Sequence, residues 1–289
     1  MKLNLRKLLI LLPLIGVTAG LLSAQTPDFA RAKELYGRTA YRESLAALAP
    51  APNKDAATFQ LIGQNNFMMA DYKKATEAFE KAAALDSHDA RIQLWLGRAY
   101  GRRAETASPF TAPGYASKAR QAFEKSVALD PSNKEATGDL LDYYLDAPGF
   151  LGGGVQKAEA LVEIISKNDP AEGHYAQAMI DDRHKQYAAA EQQFRRAMDL
   201  APRQVGRVVD LARFLARHGR VEESEALFDR AAALSPNNPH VLFDRAQTYV
   251  EGRRNLDRAR DLLHRYLNCA LTPDDPPRER AEELLKKIG

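Results

Sequence analysis

The chain has 289 residues, 45% of them hydrophobic and 27% charged, with a formal charge of +3 and a single cysteine, Cys269, so it has no internal disulfide. Lys2, Arg6 and Lys7 are the only charged residues before Asp28; without them the 41 basic residues fall to 38, equal to the 38 acidic ones. A net-neutral remainder lacks the cationic footprint that phosphate recognition requires, which excludes nucleic acid as the expected partner.

In chain order, residues 1–7 are short and basic, 8–22 are apolar and uncharged, and Ser23 and Ala24 supply small residues before Gln25. This layout predicts a secretory signal peptide over 1–24, cleaved after Ala24, and hence a periplasmic protein. A cut after Ala19 also fits the small-residue rule. The alternative is an uncleaved anchor that holds the chain in the inner membrane facing the periplasm. The apolar run falls short of the roughly 20 residues a spanning helix needs, and Pro13 interrupts it. Cys269 lies far from the cleavage site, so no lipid attachment is expected there.

The later two-thirds are rich in Ala, Leu, Arg and Glu, which favours helix. A fixed period then decides the fold. Ala75, Phe79, Ala82 and Leu85 recur as Ala119, Phe123, Ser126 and Leu129, then as Ala190, Phe194, Ala197 and Leu200, and again as Ser224, Phe228, Ala231 and Leu234. Phe194 to Phe228, Ala197 to Ala231 and Pro202 to Pro236 are each spaced by 34 residues. Small residues let two helices approach closely, Phe fills the gap between them, and Pro stops the second helix.

These residues resemble the second helix of the tetratricopeptide (TPR) repeat, and Leu96-Gly97-Arg98-Ala99-Tyr100 resembles its first-helix pattern. The resemblance covers roughly residues 28–272 and implies an all-α, right-handed α-solenoid of six to seven helical hairpins, of the exported bacterial type. Residues 25–55 read as a degenerate first unit. The array occupies 56–275, with repeats near 56–89, 90–133, 134–170, 171–204, 205–238 and 239–272. The charged amphipathic stretch 276–289 reads as the capping helix that a solenoid end requires. The sequence departs from the family pattern at Gln93, where Trp is typical, with Trp95 two residues later, and at Val162 and Leu263, which replace the second-helix Phe.

The period stretches to 44 residues between Ala75 and Ala119 and to 39 between Ala119 and Ala158, so about ten and five residues are inserted. Both insertions, 108–115 and 147–154, fall between the helices of their own repeats. Equivalent loops project from one edge of a solenoid, so Phe110, Tyr115, Phe150 and Leu151 are expected to meet as a patch, either for a partner or to seal a distorted joint.

The resemblance further implies that exposed first-helix residues line a concave face and contact a protein or peptide partner. In register these are Gln60, Gln64, Arg98, Arg102, Asp142, Tyr175, Arg213, Arg217, Phe243 and Gln247. Arg98 with Arg102, and Arg213 with Arg217, are four apart on one helix face and suit acidic side chains or a terminal carboxylate, or else salt bridges to neighbouring repeats.

No catalytic constellation is recognisable. Residues 149–154 lack the Gly-Lys-Ser/Thr ending of a phosphate loop, and their glycines suit a tight turn instead. The six histidines, His88, His174, His184, His218, His240 and His264, show no metal spacing. No cofactor or metal is expected. The reading is a non-enzymatic, protein- or peptide-binding scaffold of the cell envelope. Its alternatives are a membrane-anchored structural subunit of an envelope or secretion complex and, third, an enzyme on a helical-array scaffold.

Overall fold

The structure is a computed structural model that describes residues 27–50 and 53–289, so the expected signal peptide lies outside the described residues. The expected all-α solenoid is what it contains. The helices are α1 (Pro27–Gly37), α2 (Tyr41–Leu48), α3 (Ala56–Met68), α4 (Tyr72–Leu85), α5 (Ala90–Thr106), α6 (Ala112–Leu129), α7 (Lys134–Asp146) and α8 (Val155–Asn168). They continue as α9 (Pro170–Arg183), α10 (Tyr187–Leu200), α11 (Val205–Arg217), α12 (Val221–Leu234), α13 (Pro239–Glu251), α14 (Leu256–Leu267) and α15 (Arg278–Lys287). Among the described residues, odd and even helices pair as seven hairpins, and α15 follows the last.

The first helix of most hairpins starts where a carboxylate or amide can accept from an orphan backbone N–H. Asp55, Asp89, Asn133, Asp169 and Asn238 cap α3, α5, α7, α9 and α13 in this way. Each such cap contributes about 1 kcal/mol.

Within hairpins the helices touch through a small residue. A Cβ placed on Gly63 would sit 2.6 Å from the Phe79 ring, and one on Gly97 would sit 2.6 Å from Phe123. Further along the array Ala178 and Ala212 occupy the corresponding places, buried in one cluster with Phe194 and Phe228. Buried clusters follow one another along the array, from Ala75 to Ile180, from Ala178 to Val241 and from Leu242 to Leu284. In the first hairpin Ser44 donates to the Ala32 carbonyl at 2.8 Å and Asn65 of α3 donates to Ser44 at 2.9 Å, tying α1 and α2 to the next repeat.

The two insertions behave differently. The first lengthens its helices: α5 has 17 residues and α6 has 18, against 13 and 14 in α3 and α4. Tyr115 is therefore helical rather than on a loop. The second is a compact turn with a 3-10 segment, Gly149–Leu151. Gly152 and Gly154 there have φ of +87° and +140°, and a Cβ on Gly153 would sit 1.9 Å from the Ala147 carbonyl oxygen, so the glycines answer a backbone requirement.

Gly97→Val should destabilise the fold by about 1–3 kcal/mol, because the added branches enter the Phe123 ring. Urea melts followed by circular dichroism test this. An unchanged midpoint would contradict so close a helix contact.

Candidate functional site

The first helices of successive hairpins lie side by side and form the concave face. A cavity of about 850 Å³ opens on it, lined by Phe67 and Met68 of α3, Tyr72 at the start of α4, Trp95, Arg98 and Arg102 of α5, and Asp139, Asp142 and Tyr143 of α7. Pro273, Asp275, Pro277 and Arg280 line the same cavity. The C-terminal segment thus curves back across the mouth of the groove and turns it into a channel. His240 Nε2 lies 3.4 Å from Asp275 and anchors that segment to α13.

One wall is aromatic. Phe67 meets Trp95 edge-on at 5.4 Å and Tyr72 at 5.4 Å, and Trp95 stacks on buried Phe79 at 6.0 Å. Trp95 is only half-buried. Gln93, in the family's usual Trp position, is 4% exposed, so the displaced Trp is the one that reaches the groove. Arg98 lies 5.0 Å over the Trp95 ring and Arg102 lies 5.2 Å over Tyr72.

The arginines expected in the groove are on it but already have partners. Arg98 donates to Asp139 at 2.5 Å and pairs with Glu135 at 2.9 Å; Arg102 pairs with Glu105. Arg213 pairs with Asp244 at 3.4 Å and Arg217 with Asp182 at 2.8 Å. Gln247 donates to Glu251, and Gln60 and Gln64 stand half-buried on α3. Tyr175 lies under the Arg207 guanidinium at 4.1 Å. Phe243 corrects the expectation: it is 2% exposed and packs on Tyr266 at 5.2 Å, beneath Arg280, because α15 and the segment before it cover that end of the array.

The expected loop patch divides in two. Tyr115 stacks on Tyr100 at 6.3 Å and accepts from Arg103, while the Leu151 carbonyl accepts from the Tyr143 hydroxyl at 2.9 Å and its side chain lines the channel. Phe110 and Phe150 point outward, 96% and 82% exposed. Register arguments missed Phe67, Tyr72, Tyr143 and the C-terminal wall, which reach the channel from helix ends and from the far end of the chain. One signal was readable: Arg98 and Asp139 are 41 apart, Arg213 and Asp244 are 31 apart, and the difference is the ten-residue insertion.

The Asp142 side chain makes no hydrogen bond or ion pair with any described residue. Its side chain is open to water yet walled by protein, and this burial, followed by the Asp139 charge and opposed by Arg183, pushes its pKa up to about 6. Asp210 is likewise raised to about 6, first by burial, although Arg207 donates to it at 3.1 Å. Among the described residues no group of three His, Cys, Asp or Glu is placed to hold a metal ion, and no helix is long and apolar enough to cross a membrane.

The tetratricopeptide repeat family model matches residues 175–239 and 209–276. The repeats, the hairpin geometry and the stacked first helices define an all-α helical-repeat fold, and the stretch 175–276 is similar to the TPR repeat. No curated protein sequence matches the chain. A tetratricopeptide repeat protein from Parabacteroides merdae ATCC 43184 is similar in structure, with a TM-score of 0.57 and 14% identity, covering 90% of this chain and 97% of that one. A thermophilic TPR protein from Thermus thermophilus has a TM-score of 0.52 and 18% identity, covering 66% of this chain and 99% of that one. At these identities the likeness is one of fold.

Two outcomes follow from the geometry. Tyr115→Ser should cost about 1–2 kcal/mol in urea melts through the lost stack on Tyr100, whereas Phe150→Ser should stay within about 0.5 kcal/mol of the parent. For Asp142 the folded pKa lies above the unfolded value near 3.9, so the charged form destabilises the fold. That cost grows as pH rises through about 4 to 6 and is complete above 6. Asp142→Asn should therefore raise the melting temperature at about pH 7.5 and change it little at about pH 4. A lowered value at the higher pH would contradict the assignment.

Proposed function

We propose that this protein is an exported, non-catalytic TPR scaffold that holds a peptide segment of a partner protein in the channel on the concave face of α3, α5 and α7, within the bacterial cell envelope. The observation that carries the reading is the half-exposed aromatic wall of Phe67, Tyr72 and Trp95 in a cavity of about 850 Å³. Apolar rings left in contact with water in a concave site gain about 25 cal/mol per Å² on being covered, and a peptide strand supplies that cover. Neighbouring ion pairs fix the long arginine side chains in advance, which lowers the ordering cost of binding. Export is supported by the basic, then apolar, then small-residue order of residues 1–24.

Trp95 is the sole tryptophan, so it reports directly on the channel. Titration with an unbiased library of acetylated, amidated heptapeptides should shift its emission and be saturable, and Phe67→Ala should weaken the effect. A flat response to every pool would end the groove reading. Intact mass of protein from the soluble periplasmic fraction of a bacterial host tests location separately: a chain beginning at Gln25 fits the exported scaffold, and a full-length chain in the membrane fraction makes it an anchored subunit.

A further inference from the structure

We infer that the bound peptide presents one basic side chain, a lysine or arginine, to the stretch of the groove between α7 and α11, which carry Asp142 and Asp210. This rests on the groove reading above and adds the chemistry of the residue recognised.

The inference comes from a break in a repeated ion-pair ladder. In α5 and α11 the residue after the small helix-contact residue, Gly97 or Ala212, is an arginine. Each arginine reaches an aspartate of the next first helix: Arg98 meets Asp139 at 2.5 Å and Arg213 meets Asp244 at 3.4 Å. Between these two rungs the pattern fails twice. On α7 the arginine is replaced by Asp142, and the residue facing that rung on α9 is Ala176. On α9 it is replaced by Met179, so Asp210 of α11 receives no cation from the preceding repeat.

The consequence is two carboxylates short of positive charge on one stretch of the concave wall. Asp142 has no partner among the described residues, since nearby Arg183 pairs with Asp146. Asp210 pairs with Arg207 of its own helix, which is shared with Glu172 at 2.8 Å, and the charge of Arg213, which also reaches it, is shared with Asp244. Tyr175 lies on α9, the first helix of the hairpin between theirs; burial first, and then the charges of Asp210 and Asp142 among others, oppose its ionisation. Its hydroxyl makes no hydrogen bond to a described residue. Asp142 also lines the channel beside the aromatic wall, so a peptide side chain entering there meets both. A guanidinium or ammonium group supplies the charge that the missing rungs withhold, and a hydrogen bond to a charged group of this kind is worth about tenfold or more in affinity.

The test uses two acetylated, amidated heptapeptide libraries with alanine, leucine or serine at six positions and either lysine or glutamate at the centre, read by Trp95 emission. The lysine library should bind about tenfold tighter or better. Asp142→Asn should abolish that preference without loss of folding, Asp210→Asn should reduce it, and Glu77→Gln, exposed on α4 outside the channel lining, should leave it intact. Equal binding of the two libraries, or a preference that survives Asp142→Asn, overturns the inference while the groove reading stands. Absence of any Trp95 response to either library removes both.

Discussion

Among the described residues, four of the seven hairpins share the contact on which the array depends: a phenylalanine of the second helix packed with a small residue of the first. Phe79 on Gly63 and Phe123 on Gly97 are the closest examples, and Ala178 and Ala212 occupy the same place further along, buried with Phe194 and Phe228. Each buried Phe contributes about 1.5–3 kcal/mol through removal from water. The small residue sets how near the helices come. That distance sets how the next hairpin stacks, and regular stacking puts every first helix on one face. The concave surface is a by-product of core packing.

On that surface, charge organises what packing has positioned. Exposed or half-exposed ion pairs are worth about 0–1 kcal/mol each, so the Arg98–Asp139 and Arg213–Asp244 rungs add little stability. They do fix long side chains and neutralise most of the wall. Burial makes all four carboxylates, Asp139, Asp142, Asp210 and Asp244, harder to ionise than usual, and of these Asp142 has no ion pair with a described residue. A group that weakens the fold while meeting no partner inside it stands out against its paired neighbours.

The insertions and the C-terminus give the groove its particular shape. Lengthening α5 and α6 extends the wall beside Trp95, and the turn at 147–154 brings Leu151 into the cavity while leaving Phe150 outside. The segment before α15 does two things at once. It covers Phe243 and closes the last core cluster, and it places Pro273, Asp275 and Arg280 opposite the aromatic wall.

The sequence by itself determined the helices, their pairing and the solenoid, because a 34-residue spacing of small and aromatic residues is a local pattern that only stacked hairpins can bury. It also placed Arg98, Arg213 and Asp142 on the concave face, since helical register is a matter of counting. Only the tertiary structure decided which of those residues are free. The partners of Arg98 and Arg213 lie a whole repeat away, the burial of Phe243 depends on a capping segment some thirty residues further on, and the Trp95 channel has a wall from the opposite end of the chain. Superhelical curvature, accumulated from small rotations at each hairpin, brings those distant parts together, and no local spacing records it.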